Sequence, residues 1–114
     1  MSKELKVLFD FYEFMLWLTR HIEKFPRNHR YSLGVIMENR LHGLLLLLLK
    51  SRYSKDRAGL LDEVNLELDA LRFQIRLASD LRVFPLGSQE YAAEALQSIG
   101  SQIGGWRKAG GAQS

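Results

Sequence analysis

The chain of 114 residues has no cysteine. Disulfides and thiolate metal sites are therefore excluded. It has only two prolines, Pro26 and Pro85, so few positions force a helix to stop. Strand-like alternation of useful length is missing, and so is any internal repeat. Long apolar runs are missing too. The longest uninterrupted leucine run, Leu44 to Leu49, falls far short of the ~20 apolar residues a membrane span needs. The N-terminal "MSKELKVLFDFYEF" is interrupted by acids and lacks a small-residue cleavage site, so it does not read as a signal peptide. The expectation is a cytoplasmic protein with no membrane partner.

The groups that carry chemistry are equally sparse. Di-metal carboxylate bundles need inward Glu residues and Glu-x-x-His pairs. Glu38 and His42 are four apart, and no second pair exists. His21, His29 and His42 do not form a metal-ligand spacing. No glycine-rich loop opens a helix, since "IGSQIGGW" closes one. Asp62, Glu63, Glu67 and Asp69 read as a solvated face. Catalytic residues, cofactors and metals are not expected.

What is present is helix periodicity. The breaks "KFPRNHR", "SRYSKDRAG" and "VFPLGS" leave four segments of helical pattern. The first, about 3–24, carries two adjacent stripes: Leu5, Leu8, Tyr12, Met15, Thr19 and Ile22, then Val7, Phe11, Phe14, Leu18 and Phe25. The second, about 32–53, starts with Ser32 as candidate N-cap. Its stripe is Leu33, Met37, Leu41, Leu44 and Leu48. Leu45, Leu46, Leu47 and Leu49 fill the remaining faces, which suits either a subunit interface or a centrally buried helix. The third, about 56–83, repeats Val64, Leu68, Leu71, Ile75 and Ala78. The fourth begins near Ser88, a second candidate cap, with Ala92, Ala95 or Leu96, Ile99, Ile103 and Trp106 on its stripe. The spacing predicts an all-α, antiparallel up-down four-helix bundle over residues 1–108, with a disordered tail at 109–114.

Charge is unevenly placed. The net charge is +3, but residues 20–57 hold nine bases against three acids, so this segment is +6 and the flanks together −3. Such concentration suggests an anionic partner. In an up-down bundle the 24–34 connector and the 54–57 connector lie at opposite ends. Lys24, Arg27 and Arg30 then mark one end of the second helix, and Lys50, Arg52, Lys55 and Arg57 the other, with Arg40 between. These eight residues are the candidate nucleic-acid-binding set, a track suited to backbone-directed contact with RNA or DNA. The acidic third helix is expected to face away from it. Aromatic interleaving of the kind used to stack bases is missing except at Tyr31 and Tyr53, and Tyr31 is expected to be a packing residue.

Three blocks sharpen the reading. "EKFPRNHRYSLG" with "ENRLHGLL", then "LRFQIRLASDLRVF", then "IGGWRK" follow one another in order. Over about residues 10–108 the chain resembles the accessory variability determinants of diversity-generating retroelements. A sister family, the bacterial ribosomal-RNA intervening-sequence proteins, shares the fold and a looser form of the connector. The His-Arg-Tyr-Ser-Leu-Gly version and the terminal Gly-Gly-Trp favour the retroelement family. The resemblance implies a non-catalytic accessory protein that binds the element's reverse transcriptase and nucleic acid and supports mutagenic cDNA synthesis. It also implies a ring- or barrel-like homo-oligomer, a pentamer in that family. The alternative is a structural interaction module of the intervening-sequence type, without nucleic-acid binding.

Overall fold

In the computed structural model, which describes residues 2–112, the chain forms four long helices. They are α1 (Lys3–Ile22), α2 (Arg27–Tyr53), α3 (Ala58–Asp80) and α4 (Leu86–Ala112). Each helix packs on two neighbours: α1 on α2 and α4, α3 on α2 and α4. The result is a slender up-down bundle of 47 × 23 × 22 Å. The expected disordered tail at 109–114 lies partly outside the described residues, and α4 is helical through Ala112.

The core is what the periodicity dictates. Phe11, Phe14 and Leu18 of α1 meet Met37, Leu41, Leu44 and Leu48 of α2. Val64, Leu68, Leu71, Ile75 and Ala78 of α3 and Ala92, Leu96, Ile99 and Ile103 of α4 complete it. All of these side chains are at most 3% exposed. Of the two stripes on α1, the second forms the core. In the first only Ile22 is fully buried, while Tyr12 is 54% exposed. Two wide stripes exceed what one flank of a four-helix core can cover, so the outer one is left half in water.

Two cap assignments are corrected. Helix α2 starts at Arg27, behind Pro26, not at Ser32: the His29 and Arg30 amides donate to the Pro26 carbonyl at 2.9 and 2.8 Å. Proline can sit at a helix entrance because it has no N–H to satisfy. Ser32 lies inside the helix, and its hydroxyl donates back to the Asn28 carbonyl at 2.8 Å. Likewise α4 starts at Leu86, where the Gln89 amide donates to the Pro85 carbonyl, and Ser88 falls in its first turn. Ser2 caps α1 with its side chain, which accepts from the Leu5 amide at 3.2 Å.

Between Arg30 and Gly34 the α2 backbone takes a π turn. The extra residue lets both Leu33 and Gly34 face inward. Gly34 then lies so close to α1 that a Cβ there would sit 2.9 Å from Cγ2 of Ile22. Helix α2 is therefore longer than its leucine run. By length and composition alone it is apolar enough to cross a membrane. Within the bundle its central stripe is core.

Helix α3 ends without a glycine. Arg82 takes a left-handed conformation, φ 62°. The Val83 amide returns to the Ala78 carbonyl at 3.0 Å and the Arg82 amide to the Ser79 carbonyl at 2.9 Å. This is the Schellman arrangement, with arginine where glycine is usual.

Candidate nucleic-acid interface

The two connectors at the ends of α2 lie at opposite poles, as the topology requires. A 27-residue helix is ~40 Å long. At the first pole Lys24 and Arg27 are exposed. Arg30 sits in the π turn, where its guanidinium donates to the Glu23 carbonyl at 3.3 Å and to the Tyr31 hydroxyl at 3.2 Å. Phe84 packs edge-on against Phe25, ring centroids 6.3 Å apart, so the α3–α4 connector closes over this pole. That connector brings Arg82, exposed, to the same end. Arg82 was not among the sequence candidates; the signal for it was its place beside Pro85 in the break that an antiparallel bundle must fold to this pole.

At the second pole Lys50 and Lys55 are exposed, and Arg52 lies over the Tyr53 ring at 5.6 Å. Arg57 is less available. It faces Glu4 Oε1 at 3.6 Å and lies over the Trp106 ring at 5.7 Å. The end of α4 adds Arg107, which binds Asp62 through two nitrogens. That guanidinium holds the Asp62 carboxyl below the usual carboxylate range. The sequence reading missed Arg107 because its chain position is far from residues 50–57; only the antiparallel fold joins them.

The middle of the track is occupied. Arg40 is bonded to Glu67 of α3, and its Nε donates to Gln74 Oε1 at 3.1 Å. Its side chain is 24% exposed. The expectation that acidic α3 faces away is therefore corrected: Glu67 turns toward α2 and neutralises Arg40. The charge forms two polar patches joined by a helix rather than one continuous track. Lys24, Arg27, Lys50, Arg52 and Lys55 make no ion pair within the described residues.

Apolar surface flanks α2 on both sides. Toward α3, Ile36, Gly43, Leu46 and Leu47 line a groove of about 490 Å³ with Glu63 and Glu67. The outer face of α3 continues it with Leu66, Phe73 and Leu77, exposed by 68%, 74% and 48%. Leu45 lies about 200° around the helix from Leu47, on the α1 side. There α1 exposes Phe9, Tyr12 and Leu16. The surplus leucines are therefore not centrally buried: Leu45 and Leu47 brace the core from either flank, Leu49 is half-buried and Leu46 is exposed.

His21 Nδ1 lies 2.9 Å from the Trp17 carbonyl, and its ring packs between Trp17 and Phe84. The groove between α3 and α4 is lined by Arg72, Arg76, Gln89 and Gln97 among apolar residues, without a general base or nucleophile. Among the described residues no three His, Asp or Glu converge as metal ligands.

A family model described as bAvd-like matches residues 6–109, almost the whole bundle. No curated protein matches the chain. No solved structure matches it either. The chain belongs to the bAvd-like family, the accessory-variability-determinant type of four-helix protein.

Proposed function

We propose that this protein is a non-catalytic accessory subunit of a diversity-generating retroelement, binding the element's reverse transcriptase and nucleic acid and supporting mutagenic cDNA synthesis in the cytoplasm. Family membership supports the accessory role. The observation that carries the nucleic-acid part is the pair of basic patches at the poles of α2, whose Lys24, Arg27, Lys50 and Lys55 have no carboxylate partner within the described chain. Such residues release counterions from a polyanion and confer steep salt dependence. The two unlike apolar flanks of α2 support self-assembly. A face that differs from its complement joins copies head to tail, which gives a ring where the rotation closes and a filament where it does not. A pentamer is the size that the family resemblance implies.

The test is co-purification with the neighbouring reverse transcriptase, with and without nuclease, beside direct binding of RNA and DNA. Reversing Lys24, Arg27, Lys50 and Lys55 to Glu abolishes nucleic-acid binding and leaves the helical spectrum intact. Unchanged affinity in that variant rules the patches out.

A second reading is a structural interaction module without nucleic acid. Internal neutralisation of Arg40, Arg57 and Arg107 favours it, because it removes three bases from the free surface. Partner binding that persists in high salt, with no RNA or DNA retained, identifies that module.

A further inference from the structure

At each pole of α2 an exposed tyrosine carries an arginine against its ring. Tyr31 is 64% exposed, with the Arg30 guanidinium 5.0 Å from the ring centroid. Tyr53 is 79% exposed, with Arg52 at 5.6 Å. Neither arginine has a carboxylate partner among the described residues. Arg30 is also tethered, by the Glu23 carbonyl and the Tyr31 hydroxyl, so its charge is held in place rather than swinging free. Here each ring is paired with a cation within a patch of further free bases.

We propose that Tyr31 with Arg30, and Tyr53 with Arg52, are two stacking platforms for unpaired nucleobases, so that the protein binds single-stranded nucleic acid in preference to duplex. The inference rests on the nucleic-acid reading above and specifies its ligand. Each tyrosine has a guanidinium beside its ring and keeps more than half of its surface exposed, where a base can stack. The adjacent arginine and lysines take the flanking phosphates. Stacking needs a base whose face is free, which a duplex interior does not offer; phosphate contact alone does not distinguish the two. Recognition is sequence-tolerant, since every base has a π face.

The experiment measures affinity for an oligothymidylate and for a duplex of equal length at one fixed salt concentration. The wild type is compared with Y31L, Y53L and the double variant, and with Y31F/Y53F, which keeps both rings. Helical content is checked by circular dichroism for each. Each leucine substitution is expected to weaken single-strand binding by roughly 5- to 100-fold and duplex binding much less, and the phenylalanine double variant, which loses the Tyr31 hydroxyl contact to Arg30 but keeps both rings, to retain most of the single-strand binding. Equal losses on both probes, a loss in the phenylalanine variant equal to that in the leucine variant, or no loss at all overturns the platforms while leaving the basic patches standing. Absence of wild-type binding to either probe overturns both readings.

Discussion

Gly34 and Gly43 lie in the same helix, yet their substitutions are expected to have opposite signs. A Cβ on Gly34 would collide with the fully buried Ile22 at 2.9 Å, whereas nothing lies within 4 Å of one on Gly43. Gly34→Ala gains helix propensity, ~1 kcal/mol, but overpacks by ~1–3 kcal/mol. It should lower the unfolding free energy, and Gly43→Ala should raise it by about 0.5–1 kcal/mol. Chemical denaturation of both variants checks the pair. At Asp10 the expected effect is on pH dependence. Hydrogen bonds from Lys6 Nζ and Gln102 Nε2 hold its carboxyl below the ordinary range. A depressed folded pKa adds stability above the unfolded value of ~3.9, lost as pH falls through the folded value. Asp10→Asn should therefore flatten the acid limb of the stability profile below about pH 4 and leave its neutral-pH shape unchanged. Trp106 poses a further residue-scale question. Its indole N–H is buried and has no partner among the described residues. Trp106→Phe removes that donor together with some packing, so its cost should fall well below the ~3–5 kcal/mol of Trp106→Ala.

Helix ends and helix pairs set the next scale. Arg82 holds a left-handed backbone that disfavours a side chain by ~1–2 kcal/mol. Arg82→Gly should therefore stabilise the fold by up to about 1 kcal/mol. If Arg82 belongs to the first basic pole, the same substitution weakens nucleic-acid binding, and melting and binding curves move in opposite directions. Arg40 shows the converse. Its bond to Glu67 and Gln74 ties α2 to α3. A double-mutant cycle of Arg40→Met with Glu67→Met should give a coupling of about 1–2 kcal/mol. Arg40→Met alone should cost stability and leave nucleic-acid affinity near wild type, unlike Arg27→Gln. The four core stripes were legible in the sequence because a buried helix face repeats every three or four residues whatever it packs against. The helix starts were not. Ser32 and Ser88 have the right chemistry for caps, but Pro26 and Pro85 had already set the chain into helix one turn earlier. The π turn was illegible for a related reason: it exists to fit Gly34 against Ile22, a residue of another helix.

For the whole molecule, the decisive property is that one bundle leaves two apolar flanks uncovered. Phe73→Asp and Leu66→Asp should block assembly without loss of helicity, since both side chains are more than two-thirds exposed in the single chain. Sedimentation velocity should then show monomer for the variants and a larger species for the wild type. A wild type that sediments as a monomer excludes the ring. Sequence alone determined the four-helix pattern, the core residues, the lack of thiol chemistry and the two basic connectors. Each of these follows from local composition and from spacing along one chain. Tertiary structure decided which charges are free. Arg40 and Arg57 look like Lys50 and Lys55 in the sequence, but Glu67 and Glu4 reach them only when distant helices pack side by side. It also decided that the surplus leucines of α2 serve its two flanks, because a helix has sides only once its neighbours are in place.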